Sequence, residues 1–151
     1  MWKQAVLAVL ALFRFGSVKP DPYPDDYFES PLGIPLLLSG SFAEMRSNHF
    51  HGGLDIKTQG HAGFPVYAAA DGWVSRIAVG PGGYGNALYI SHPNGFMTVY
   101  AHLDRFAEPV ASFIKDLQYE QESFAVQSFP DRDRFQVKQG EQIAWSGNSG
   151  S

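Results

Sequence analysis

The sequence predicts a mainly β domain, built as an antiparallel β-sheet with one inserted helix. Three observations carry that expectation. Short apolar or alternating runs recur along the chain, each bounded by a glycine-containing turn pair. Sixteen glycines and ten prolines suit a turn-rich architecture. Only one stretch has apolar residues at helical spacing.

Taken in order, residues 34–38 form a short apolar run. Leu54 and Ile56 then alternate with Asp55 and Lys57, the period of a half-buried strand with the two apolar residues inward. Residues 65–70 and 73–79 flank Asp71-Gly72, a strong hairpin-turn pair. Residues 87–91 and 96–103 flank Pro93-Asn94-Gly95, and residues 135–137 and 142–145 flank Gln139-Gly140. Within 97–103, Met97, Val99, Ala101 and Leu103 make a core-like face, with Thr98, Tyr100 and His102 on the other. The exception follows Pro109. Val110, Phe113, Ile114 and Leu117 fall at i, i+3, i+4 and i+7, an amphipathic helix with proline at its first turn.

The chain has 151 residues, enough for one domain with a sizeable core. Its net charge of −4 and lack of a basic run argue against a nucleic-acid partner. With no cysteine, disulfides and thiolate catalysis are excluded. Lys3 precedes an apolar run, 5–13, of about the length of a signal-peptide core, so residues 1–17 are expected to direct export to the periplasm or the exterior. Arg14 directly after the run and the lack of an A-x-A site leave a buried N-terminal helix as the alternative. At ~1.5 Å per residue the run falls far short of ~30 Å of hydrocarbon, so no transmembrane span is expected. Residues 18–31 hold four prolines and four acidic residues and read as an extended approach segment to a domain over 32–151.

The densest polar cluster is 46–55. If 51–55 is extended, His51 and Asp55 share a face, with Gly53 between them. An imidazole and a carboxylate converging over glycine suit a divalent metal such as zinc; the alternative is a solvated loop that carries two histidines. His49, two residues before His51, shares the same side and is a candidate substitute ligand. His102, near a strand end, is a candidate general base or oxyanion stabiliser, against the alternative of a surface histidine on a wet hairpin face. His92 and His61 read as structural or incidental. The glycine stretches 81–85 and 147–150 lack the lysine of a phosphate loop, so no nucleotide is expected, and no serine sits in a G-x-S-x-G elbow.

Five segments in register resemble the lysostaphin-type zinc metallopeptidases: H-G-G-L-D at 51–55, P-V-Y-A-A-A-D-G-W-V at 65–74, G-G-Y-G-N-A-L-Y-I at 82–90, V-Y-A-H-L at 99–103 and G-E-Q-I-A-W-S-G-N-S-G at 140–150. The resemblance runs from about residue 31 to the end, with 108–134 as an insertion. It implies an antiparallel, duplicated-hybrid-motif-like β-fold whose groove holds one Zn2+. It implies an endopeptidase that hydrolyses peptide bonds in the cross-links or stem peptides of bacterial cell-wall peptidoglycan. His51 and Asp55 match the first two zinc ligands, and His102 the histidine that positions or activates the attacking water. The family takes its third protein ligand from an H-x-H motif shortly after a glycine/serine loop like that at 147–151, and none follows that loop here, so the chain is expected to be a form truncated ahead of it. Two other classes compete. One is a non-catalytic relative that binds the wall or activates a separate hydrolase; the other is a cupin-like metal barrel suggested by His49-Phe50-His51, for which Asp55 is a poor stand-in for the expected glutamate.

Overall fold

The computed structural model describes residues 26–47 and 49–150. Ten strands and one helix follow in the order β1 (Leu38–Gly40), β2 (Asp55–Ile56), β3 (Pro65–Tyr67), β4 (Gly72–Val79), β5 (Ala87–Ser91), β6 (Met97–Tyr100), β7 (Leu103–Phe106), α1 (Val110–Glu120), β8 (Val126–Ser128), β9 (Gln136–Val137) and β10 (Gln142–Ser146). All pairings are antiparallel. β1 and β2 make a two-stranded sheet, β3-β10-β7 a three-stranded one, and β6-β5-β4-β8 the largest, with β9 also pairing β4. Over the described residues the protein is mainly β with one helix, as the composition and periodicity predict.

The two larger sheets share one core. Val74 and Ile77 of β4 and Leu88 and Ile90 of β5 meet Val66 of β3, Ala144 of β10, and Leu103 and Phe106 of β7. β4 carries a bulge between Val74 and Arg76, so two residues separate the inward-facing Val74 and Ile77 instead of one. The helix lays the predicted stripe on this core: Val110 and Ile114 are buried, and Phe113 and Leu117 pack at its margin. No helix among the described residues is long and apolar enough to cross a membrane. The expected leader, 1–17, and most of the approach segment, 18–31, lie outside the described residues.

Only one of the three predicted turns closes a hairpin. Pro93-Asn94-Gly95 joins β5 to β6, with Gly95 at φ 87° and its N–H bonded to the His92 carbonyl at 3.0 Å. Asp71-Gly72 instead carries the chain between sheets, because β3 pairs with β10 and β4 with β5. Its glycine serves close packing: a Cβ on Gly72 would stand 2.3 Å from the Ser91 carbonyl oxygen. Gln139-Gly140 likewise links β9, on β4, to β10. The two faces of β6 are also the reverse of the expectation. Met97 and Val99 are exposed while Tyr100 is buried. The Tyr100 hydroxyl accepts the Ala69 N–H at 2.8 Å and is hydrogen-bonded to the Thr98 hydroxyl at 3.1 Å, so the polar face is satisfied inside. Burial pushes the Tyr100 phenol above the ordinary tyrosine value, which keeps it protonated.

Candidate functional site

Asp55 opens β2, opposite Gly40 of β1. The connection between the strands doubles back through a Met45–Phe50 bridge and returns His51 beside Asp55. Two backbone bonds fasten it: the His51 N–H donates to the Glu44 carbonyl and the Ala43 N–H to the His51 carbonyl, both at 2.8 Å. The segment 51–54 is not a regular strand, since it bends at Gly53. It nevertheless places the His51 Nε2 3.1 Å from the Asp55 Oδ1. Leu54, expected to point inward, is 59% exposed, because the bend turns it away from the core.

The tautomer of His51 follows from its other nitrogen. Nδ1 lies 3.0 Å from the Ser41 carbonyl oxygen, which can only accept, so Nδ1 carries the proton. With that tautomer a neutral ring faces the carboxylate oxygen with its Nε2 lone pair, whereas a protonated ring donates to it. Two acceptors at 3.1 Å are stable only with a cation or a proton between them. Asp55 is anchored from behind by Arg46, whose guanidinium donates to Oδ2 at 2.7 Å. Gly40 makes room for that pair: a Cβ there would stand 2.4 Å from Oδ2. Metal-bound histidines ordinarily have the remaining ring N–H held by a carbonyl and the ligating carboxylate oriented by a hydrogen bond. His51 and Asp55 meet both conditions, so this donor pair fits zinc as two of its ligands. Among the described residues no three His, Cys, Asp or Glu side chains converge to hold a metal ion. His49 thus does not complete a triad; its carbonyl accepts the Arg46 N–H at 2.9 Å in the same connection.

His102 lies between β6 and β7, at φ 56°. The left-handed conformation is uncommon for a side-chain-bearing residue and ends the strand that the sequence pattern extends to 103. Its N–H donates to the Tyr84 carbonyl at 2.9 Å, and its Nδ1 lies 2.8 Å from the Ser149 carbonyl oxygen. Tyr84 connects the two candidate centres. Its ring meets the His102 ring edge-on, with centroids 6.4 Å apart. At its other end, the hydroxyl would lie 3.2 Å from a Cβ built on Gly52, the neighbour of His51.

The sequence reading missed Arg46 as the orienter of Asp55, though it stands in the densest polar cluster. It also missed Tyr84, whose loop it read as a rejected phosphate cradle and as part of the 82–90 resemblance segment, with no role for the tyrosine itself. His92 is a fixed part of the interior, 1% exposed, with Nδ1 2.8 Å from the Asp71 carbonyl oxygen and Nε2 2.9 Å from the Thr98 hydroxyl.

Comparison with known proteins gives this geometry a context. Residues 49–118, which hold His51, Asp55, Tyr84 and His102, match the description "Peptidase family M23". The chain is 47% identical over 58 residues to the "DD-carboxypeptidase/endopeptidase Mpg" of Neisseria meningitidis serogroup B and to its namesake in Neisseria gonorrhoeae. That stretch is 38% of this chain and 13% of either relative. An "Uncharacterized metalloprotease" of Haemophilus influenzae is 34% identical over 100 residues, 66% of this chain and 16% of that protein. The chain thus spans less than a fifth of the length of these relatives.

Proposed function

We propose that this chain, whose residues 49–118 match peptidase family M23, supplies the first part of a zinc-dependent endopeptidase site acting on peptide bonds of bacterial cell-wall peptidoglycan. The observation that carries the reading is the convergence of His51 Nε2 and Asp55 Oδ1 at 3.1 Å, with the proton of His51 held on Nδ1. A catalytic zinc ordinarily takes three protein ligands, and this pair would be two of them. The resemblance assigns the third to an H-x-H motif. The wall as substrate is supported by the relatives named as a DD-carboxypeptidase/endopeptidase. Residues 1–17 would export the protein and 32–151 would form the peptidase domain.

Zinc supplies, when bound, polarisation of the scissile carbonyl and a water of lowered pKa. The residues of this chain have distinct parts. Ser41 holds the Nδ1 proton of His51 and so keeps Nε2 as the donor nitrogen. Arg46 fixes the carboxylate of Asp55. His102, protonated on Nδ1 toward Ser149, presents Nε2 as the base that accepts a proton from the attacking water.

Two measurements test the reading. Zinc titrated calorimetrically into the full chain should bind, and His51→Ala or Asp55→Asn should weaken binding more than ~10-fold, since each removes a ligand; unchanged affinity in both variants would overturn the site. Purified peptidoglycan incubated with a protein that includes the H-x-H segment should release new amino termini, stop with a chelator and resume with zinc. Digestion that resists the chelator would count against a metallopeptidase. Retention on insoluble walls without release would favour the non-catalytic wall-binding reading.

A further inference from the structure

We propose that Ser149 is a positioning residue for His102: its hydroxyl pins the 147–150 turn so that its own carbonyl sets the tautomer and the direction of the imidazole. The role in catalysis rests on the reading of His102 as a base; the pinning itself does not.

The clamp is made by one hydroxyl with two partners. The Asn86 N–H donates to Ser149 Oγ at 2.9 Å, and Oγ donates to the Leu103 carbonyl at 2.7 Å. The acceptor and donor capacity of the group is used on the start of β5 on one side and of β7 on the other. Asn86 reinforces the same point, since its side-chain amide donates to the Leu103 and Asp104 carbonyls at 3.0 and 3.1 Å. Its carbonyl also accepts the Leu103 N–H at 3.0 Å. The residues on either side of His102 in space are therefore tied to one another through Ser149.

Packing leaves the turn little freedom. A Cβ on Gly85 would stand 2.3 Å from the Ser149 carbonyl oxygen, and one on Gly147 would stand 2.4 Å from the Asp104 nitrogen. Such approaches demand glycine at both places. They bring the Ser149 carbonyl to 2.8 Å from His102 Nδ1. That oxygen can only accept, so it selects the Nδ1–H tautomer and leaves Nε2 as the basic nitrogen. His102 is held at φ 56°, a conformation that persists only where its surroundings impose it. Loss of the Ser149 hydroxyl would remove the tie that imposes it from the 147–150 side, while the carbonyl that bonds His102 remains chemically unchanged.

The test reads the imidazole directly, by nitrogen-15 NMR on the full chain, and needs no peptidase activity. In the wild type, His102 should show a pyrrole-type Nδ1 and a pyridine-type Nε2 at a pH above its titration. In Ser149→Ala the two nitrogen shifts should move toward each other as the tautomers mix. The Asn86 amide should also lose at least ~10-fold of its protection from hydrogen exchange as its acceptor disappears. His92, whose two nitrogens are engaged elsewhere, is the internal control for an intact fold and should not move. A wild-type His102 protonated on Nε2 would overturn the proposal outright, even if the variant failed to fold. So would a Ser149→Ala protein with unaltered His102 shifts. If the tautomer result holds while the wall assay fails, the clamp stands and the peptidase reading falls.

Discussion

The body formed by the two larger sheets and the small β1–β2 lobe solve the problem of holding a chain in place in opposite ways. In the body, Ile77, Leu88 and Ile90 are fully buried, and both sheets and the helix contribute to one apolar cluster. In the lobe, Leu37, Phe42, Met45, Phe50 and Leu54 are all more than half exposed. Ile34 and Ile56 pack against the core from this side. Otherwise a backbone fold-back and the ion pairs of Arg46 with Glu44 and Asp55, with His51 set against Asp55, hold the connection together. Exposed ion pairs of this kind contribute about 0–1 kcal/mol each, whereas a buried Leu or Ile contributes about 1.5–3 kcal/mol. The comparison teaches that the proposed metal-ligand pair, His51 and Asp55, sits where stability is cheap to lose, and His102 where the backbone is firmly set.

The largest effect should come from the body. Leu88→Ala opens a cavity at a fully buried position and should lower unfolding stability by about 2–5 kcal/mol in urea titration; a loss under ~1 kcal/mol would show that the two sheets do not share a tight core. Tyr100→Phe should cost about 1–3 kcal/mol, because the Ala69 N–H loses its buried acceptor. A neutral outcome there would mean that water replaces the hydroxyl and that the inward polar face is less dry than the burial indicates.

In the lobe, Leu37→Ala should change stability by no more than about 0.5 kcal/mol, since the side chain is 62% exposed. A loss comparable to that of Leu88→Ala would erase the contrast between the two regions. The smallest effect concerns Asp71, at the crossover between the sheets. The Gln139 N–H, and then Lys138, hold its carboxyl below the usual carboxylate value. A depressed folded pKa stabilises above the unfolded value of ~3.9 and is lost as pH falls through the folded one. Wild type should therefore melt slightly above Asp71→Asn at neutral pH, with the two curves converging below about pH 4. A gap that persists into acid would assign the difference to geometry instead of charge.

Much of the architecture is legible in local pattern. The helix follows from Val110, Phe113, Ile114 and Leu117, and the β5–β6 hairpin from Pro93-Asn94-Gly95, because both signals are contained within a few residues. Asp71-Gly72 and Gln139-Gly140 misled for a physical reason: a turn pair specifies backbone conformation and not the partner of the next strand. The faces of β6 were misread because Thr98 and Tyr100 count as polar in a pattern, while their hydroxyls are paired in the interior. β8 lies inside the stretch taken as an insertion and adds a strand to β4 with only three residues, too short to stand out. At the site, the proximity of His51 and Asp55 was readable from their spacing. Arg46, Tyr84 and Ser149 were not, since what they do depends on contacts across the fold. Asn86, for instance, meets Ser149 from 63 positions away.

The place of β10 has a consequence for the order in which the chain acquires its structure. This strand lies between β3 and β7, and Trp145 pairs with Pro65, roughly 80 residues earlier. Pairing at that separation carries a loop-closure cost before any contact rewards it, and such topologies fold slowly. A ribosome making this chain therefore releases β3 long before its partner exists. Until β10 emerges, β3 and β7 lack the strand that joins them, and their open edges are a stage at which holding by a chaperone would matter most.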